Sequence, residues 1–273
     1  MSGTSVSAHC AHMLDDLRAK YNRREFVRPD PLEFLYDYED VQDREVVGLI
    51  ASSLAYGRVK CILRSVARVL ERMHRPARFL EEVSETALFD TFRDFRHRVT
   101  SGETLSLLLL GAKRVISRYG SLGACFRAAL REEHDTVFPA LSSFVDELTR
   151  SAPCRPKHLL PVPAKGGACK RLNLFLRWMV RRDEVDPGGW DEVPPAKLVV
   201  PLDTHMHNVG RVLGFTKRKQ ADRRTVLEIT AAFRSIAPED PVRYDFALTR
   251  LGIRKDPDLE GFLRQCGVRE AAG

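Results

Sequence analysis

The sequence has no long apolar run. Its longest, Leu105–Ala112, is interrupted by Ser106 and falls far short of the roughly 20 residues that a membrane-crossing helix needs. Residues 1–20 lack the basic-then-apolar order of a secretion signal, because Asp15 and Asp16 break it. Cysteine is sparse and scattered, with six residues at 10, 61, 125, 154, 169 and 266 and no CxxC pair. That spacing excludes a disulfide framework and a compact zinc or iron–sulfur knot, and reads as reduced thiols in a cytoplasm. There is no HExxH pair, no internal repeat and no stretch of period-two alternation bounded by hairpin turns. Even the most strand-like run, Lys197–Pro201, is short and ends in proline.

What is present describes a globular chain. Its 273 residues are 44% hydrophobic and 30% charged, which excludes disorder as the main state and leaves room for one large domain or two small lobes. Basic residues exceed acidic ones by seven, a mild excess that is compatible with a polyanionic partner without requiring one.

Apolar residues recur at helical spacing. Val46, Leu49, Ile50 and Leu54 continue past Gly57 through Ile62, Val66, Val69 and Leu70, with Asp40 or Asp43 as a cap and Pro76 as the stop. Further helices are predicted over 10–20, 31–37, 86–99, 103–118, 121–131, 136–149 and 168–182, and the chain is expected to be all-α. Ser151–Ala168, rich in proline and closing on Gly166-Gly167, and Asp183–Val200, with Asp186-Pro187-Gly188-Gly189 and Pro194-Pro195, read as irregular inserts. The division expected is a central helical lobe over 41–182 and a second lobe from 1–40 plus 198–273.

Between these inserts the helical wheel places Leu172, Phe175, Leu176 and Met179 on one face and Lys170, Asn173, Arg177 and Arg181 on the other. The polar face reads either as solvated or as a surface for a polyanion. Lys170 lies in the first turn, where the positive end of the helix dipole, together with Lys165, Arg171 and Arg177, opposes an ammonium charge and favours the nucleophilic amine. The N–H groups of the glycine turn are candidates to hold a phosphate. Downstream, Pro201-Leu202-Asp203-Thr204-His205 leads into a helix that buries Met206, Val209, Val212 and Leu213 and stops at Gly214. Asp203 suits the N-cap, a role that also keeps it ionised. A carboxylate near a nucleophilic lysine can stabilise a cationic transition state or move protons. His205 and His207 diverge on that helix, so no metal site is expected.

These residues have a familiar arrangement. Gly166-Gly167-Ala168-Cys169-Lys170, followed thirty-three residues after the lysine by Asp203, resembles the helix-hairpin-helix DNA glycosylase superfamily. Leu49–Gly57 resembles an early helix of endonuclease III, and the long lysine-to-aspartate spacing is similar to the archaeal 8-oxoguanine DNA glycosylase branch. Lys170–Arg182 and Pro241–Leu248 are similar to a conserved bacterial family of unassigned function, a likeness that spans most of 20–255. The resemblance implies a two-lobed, all-α glycosylase-like fold around a cleft. It also implies a base-excision repair enzyme with abasic-site lyase activity, plausible on an oxidised purine such as 8-oxoguanine, or else a non-catalytic DNA-binding protein of the same fold. Its partner would be double-stranded DNA carrying a damaged base or an abasic site, met in a nucleoid-associated, cytoplasmic setting.

Carried onto this chain, Lys170 attacks the sugar C1′ and Asp203 stabilises the charge that develops. Asp245, Tyr56 and Ser53 are candidates for the base pocket, with a surface pairing of Asp245 to Arg243 or Arg250 as the alternative. Gly166, Gly167, Lys165, Arg58, Arg171 and Arg177 are candidate DNA contacts, as are the charge runs within 217–224. The chain departs from the superfamily pattern in three places. Its hairpin glycines are adjacent rather than two apart. Gly57-Arg58 replaces the usual glutamine, which makes Arg58 a candidate to enter the duplex gap. The four-cysteine cluster is missing, so no cofactor is expected. Trp178, on the flank of its helix, is expected to pack in the core rather than stack on a base.

Overall fold

The structure is a computed structural model that describes residues 7–150, 156, 158–253, 261–262 and 266. It is all-α apart from one two-stranded ribbon: α1 (Ala8–Tyr21), α2 (Val41–Ser53), α3 (Val59–Met73), α4 (Pro76–Glu82), α5 (Glu85–Thr91), β1 (Arg96–His97), β2 (Thr100–Ser101), α6 (Gly102–Tyr119), α7 (Leu122–Ala129), α8 (Phe138–Thr149), α9 (Lys170–Val180), α10 (Thr204–Val212), α11 (Arg223–Ile236) and α12 (Asp245–Ile253). Among the described residues no helix is long and apolar enough to cross a membrane. Cys154 and its neighbours at 151–155 and 157, part of the expected proline-rich loop, lie outside the described residues.

Several boundaries differ from those predicted. The stretch expected to run on from residue 46 divides into α2 and α3 at Gly57, whose φ of 95° is left-handed. Asp40 caps α2, while Asp43 accepts the Ala77 N–H at 2.8 Å and ties α4 to α2. Pro76 does not end α3 but opens α4, where a missing donor costs nothing. The predicted 86–99 helix stops at Thr91 and gives way to the ribbon, in which Arg96 pairs with Ser101 and His97 with Thr100. Residues 31–37 form a 3-10 turn rather than an α-helix. Asp240-Pro241 stays outside the helices, and α12 begins only at Asp245.

Among the described residues one apolar core runs through the fold, and α9 lies within it. α2 packs along α9, α7 and α8 close on α6, and α1 packs on α12, which also meets α10. Phe175 of α9 stands edge-on to Trp190 at 5.1 Å and near-parallel to Phe144 of α8, while Phe126 of α7 stacks on Trp190 at 5.5 Å. Aromatic pairs in such offset and edge-to-face arrangements add to the stabilisation from burial alone. Trp190 comes from the Asp183–Val200 insert, so this loop completes the core. Trp178 is buried as expected.

Candidate active site

The turn before α9 is built by residues that cannot continue a helix. Pro161 and Pro163 remove backbone donors, so only a 3-10 turn, Pro163–Lys165, precedes the glycines. Gly166 follows at φ 80°, a left-handed value that favours glycine. Its carbonyl accepts the Arg223 N–H at 2.9 Å, and Gly167 pairs with Asp222, so the start of α11 braces the turn. A side chain built at Gly166 or Gly167 would meet nothing within 4 Å, so the turn faces open space. Cys169 is also left-handed, at φ 49°, and burial pushes its thiol up to about 11. Lys170 then begins α9, and Asn173 donates from Nδ2 to Ala168 O at 3.0 Å, pinning the first helical turn back onto the loop.

Asp203 is the N-cap of α10, with Oδ1 accepting the Met206 N–H at 2.9 Å. Oδ2 lies 4.0 Å from Lys170 Nζ, and the two side chains remain 39% and 31% exposed. The fold thus brings together a lysine and a carboxylate far apart in sequence and leaves both open to solvent. His205 and His207 each donate from Nε2, to Leu248 O and Arg218 O, both at 2.9 Å. They point to different elements, and among the described residues no group of three or more His, Cys, Asp or Glu is placed to hold a metal ion.

The rest of the α9 polar face corrects the expectation of an exposed basic stripe. Asn173, Arg177 and Arg181 are buried. Arg177 donates to Asp245 and, at 3.0 Å, to Asp186. Arg181 reaches Asp186, Asp183 at 2.7 Å and Asp240 at 2.9 Å. Acids from the following insert, from the segment between α11 and α12 (Asp240) and from the start of α12 (Asp245) therefore neutralise the arginines, which is what permits their burial. Burial raises the Asp245 carboxyl, Arg177 pulls it back, and Asp203 and Lys170 are near enough to act on it with opposite signs. Burial also raises Asp183, but Arg181, the N–H groups of Val185 and Asp186 and the Asn22 amide outweigh it and hold the carboxyl at about 2.

Arg177 is thus withdrawn from any DNA-facing surface, and Asp245 is engaged beneath the site rather than open to a base. Nor does Asp245 pair with Arg243 or Arg250, which bind Asp15 and Asp30 instead. Arg171 is withdrawn as well: it donates to Ser53 O at 2.5 Å and to His158 O, and its guanidinium lies 5.0 Å from the Tyr56 ring centre.

Ser53 and Tyr56, proposed as pocket residues, belong to this second cluster. Ser53 is buried and meets Arg171 through its carbonyl. The Tyr56 hydroxyl donates to His97 O at 2.9 Å and lies 2.5 Å from Thr100 Oγ1. Among the described residues these bonds lead to Arg171, His97 and Thr100 rather than to Lys170 or Asp203. Lys165 and Arg58 are exposed, as are Lys217, Lys219 and Arg224, whereas Arg218 pairs with Asp222 at 2.5 Å. Sequence reasoning missed Asp183 and Asp186 as the counter-charges of Arg177 and Arg181. The available signal was the three acids, Asp183, Glu184 and Asp186, that directly follow Arg181-Arg182.

A family model described as "Protein of unknown function (DUF2400)" matches residues 30–254. No curated protein and no solved structure matches the chain.

Proposed function

The chain belongs to the family described as Protein of unknown function (DUF2400), and we propose that it is a base-excision DNA glycosylase with abasic-site lyase activity, two-lobed and glycosylase-like in fold. The observation that carries this reading is the 4.0 Å approach of Lys170 Nζ to Asp203 Oδ2 at a solvent-open helix start. A structural ion pair needs neither the open glycine turn beside it nor a buried foundation of paired charges beneath it.

In this reading the Lys170 amine attacks C1′ of a damaged nucleotide extruded from the duplex. The C1′–N bond breaks with its electrons leaving on the base, which takes up a proton. Asp203 stabilises the positive charge that develops at C1′ and accepts the proton that the attacking nitrogen sheds. The sugar ring opens to an imine, β-elimination breaks the C3′–O bond, and water releases the lysine. The open turn at Gly166-Gly167 and the exposed Lys165 lie beside Lys170, where a phosphate of the same strand would pass. An oxidised purine such as 8-oxoguanine is the substrate class proposed.

Borohydride reduces an imine to a stable adduct. Incubated with duplexes containing an abasic site or 8-oxoguanine, the wild-type protein is expected to be trapped covalently, and Lys170→Ala is expected to bind the same duplex without being trapped. Binding without any wild-type adduct, while a known lyase traps normally, would replace this reading by that of a non-catalytic DNA-binding protein.

A further inference from the structure

We propose that the β1–β2 ribbon and the α2–α3 loop form a single edge that grips duplex DNA, with Arg58, Lys60, Arg96 and Arg98 on phosphates and Val99 driven between base pairs. The inference rests on duplex DNA being the partner, as proposed above, and adds where the duplex is held and distorted.

Three observations carry it. Val99, at 74%, and Val59, at 36%, are the exposed large hydrophobic side chains among the described residues, and both sit on this edge. The two segments touch, because Arg98 lies so close over Gly57 that a side chain there would meet its Cδ at 2.7 Å. Segments 57–64 and 96–101 contain Arg58, Lys60, Arg64, Arg96 and Arg98 and no carboxylate. All five are exposed, and among the described residues none of them enters an ion pair. By contrast, the neighbouring Arg68 and Arg72 are both held by Asp94. A concentration of unpaired cations is the electrostatic footprint of a phosphate backbone.

The tip itself is chemically odd. A two-residue ribbon turn ordinarily takes Gly, Asn or Asp. Here it is Arg98, held at φ 53°, followed by a β-branched residue with its side chain in water. Local strain kept at an exposed position points to a use. Apolar side chains wedged between base steps unstack and kink DNA. A membrane surface would need a broader apolar face than one valine tip provides.

The ribbon is also stiff. His97 Nδ1 lies 2.9 Å from Ser65 Oγ of α3, and its Nε2 donates to Tyr56 O at 3.1 Å. Tyr56 holds His97 O and Thr100, and Thr100 meets His158 Nε2 at 2.8 Å. Arg171 closes the frame by binding His158 O and Ser53 O and covering Tyr56. Since Arg171 adjoins Lys170, the tip and the proposed nucleophile are fixed to one hydrogen-bonded frame.

The test uses a duplex carrying a stable tetrahydrofuran abasic analogue with 2-aminopurine beside it. Anisotropy gives affinity as a function of salt, and 2-aminopurine fluorescence reports unstacking. Wild type is expected to bind and raise the fluorescence. Val99→Ser should lose most of that rise, weaken binding several-fold and leave the salt dependence unchanged. Arg96→Ser and Arg98→Gly should each lower the slope of log K against log salt by about 1, the loss of one phosphate contact. Arg98→Gly also relieves the left-handed backbone, so misfolding would not mimic the result. Unchanged fluorescence in Val99→Ser, unchanged salt slopes in both arginine variants, or binding to anionic phosphatidylserine vesicles in preference to the duplex would each overturn the proposal. Trapping by borohydride is read separately. Fluorescence and salt effects without a wild-type adduct would leave the edge standing and remove the lyase, whereas an adduct that forms with Val99→Ser unstacking normally would do the reverse.

Discussion

Asp203 divides its carboxylate between two neighbours: Oδ1 accepts the Met206 N–H at 2.9 Å, and Oδ2 faces Lys170 Nζ at 4.0 Å. The cap fixes the orientation of the acid, and the acid's second oxygen is left for the lysine. Asparagine caps helices about as well as aspartate, so Asp203→Asn separates the two roles. Its melting temperature should stay close to that of wild type, while the rate of borohydride trapping falls by about 10²-fold, the lower end of what a proton-transferring group contributes. Asp203→Ala should show the same loss of trapping and a further loss of about 1 kcal/mol in stability. Undiminished trapping in Asp203→Asn would remove the acid from the chemistry.

Arg177 and Asp245 make opposite predictions as a base-contacting pair and as a foundation. Removing one partner of a buried ion pair leaves an uncompensated charge and costs about 3–5 kcal/mol. Asp245→Ala should therefore show a large loss in denaturant unfolding, with Asp245→Asn less affected. Near-native stability in Asp245→Ala, combined with a selective loss of affinity for one damaged base, would return this residue to the binding site.

Glu45 supplies a pH signature. It lies buried under the start of α7, accepting the N–H groups of Leu122 and Gly123 and the Trp190 indole. Burial pushes its carboxyl up to about 7 from 4.5 despite those donors. Between these values the folded chain keeps a proton that the unfolded chain releases. Its contribution is therefore full below about 4.5 and is lost as pH rises through about 7. Across that window wild type should lose roughly 3 kcal/mol relative to Glu45→Gln, as an upper figure. The comparison with the variant isolates Glu45 from His97 and His158, whose shifts act with the opposite slope. A difference that stays flat with pH would mean that Glu45 remains ionised throughout.

Gly111 sets the approach of α6 to α8. A side chain there would come within 2.2 Å of the Leu148 carbonyl oxygen, which is backbone and cannot rotate away. Alanine favours a helix over glycine by about 1 kcal/mol, but the clash should override that gain. Gly111→Ala is expected to be destabilised by about 1–3 kcal/mol overall, measured by thermal or urea unfolding. A more stable variant would show that the two helices can part without cost.

The long helices were legible because each buries a continuous apolar stripe, as α6 does from Leu105 to Ile116. Lys170 and Asp203 were legible as well, one behind a glycine turn and the other at a helix cap, since both positions have local chemistry. The ribbon was not, because two residues per strand carry no alternation to read. Arg177 failed for a different reason. A helical wheel tells which side chains share a face but not what covers that face, and the cover comes from Asp186 nearby and from Asp240 and Asp245 about sixty residues on. The predicted 86–99 helix ends early because Phe92 and Phe95 turn inward and Gly102 lies hard against the Phe92 carbonyl, 1.8 Å from where a side chain would stand.

α9 is enclosed on its apolar side by aromatic rings and on its polar side by paired charges, with every residue from Leu172 to Val180 buried. Such a helix has no route by which its amides reach solvent except through opening of the whole molecule. Deuterium should therefore enter Phe175–Val180 last and at the rate of global unfolding, while the ends of α1 and α3 exchange through local fraying. Lys170 sits at the tip of this slowest-exchanging rod, so its side chain can sample positions in solvent while the backbone that carries it stays put.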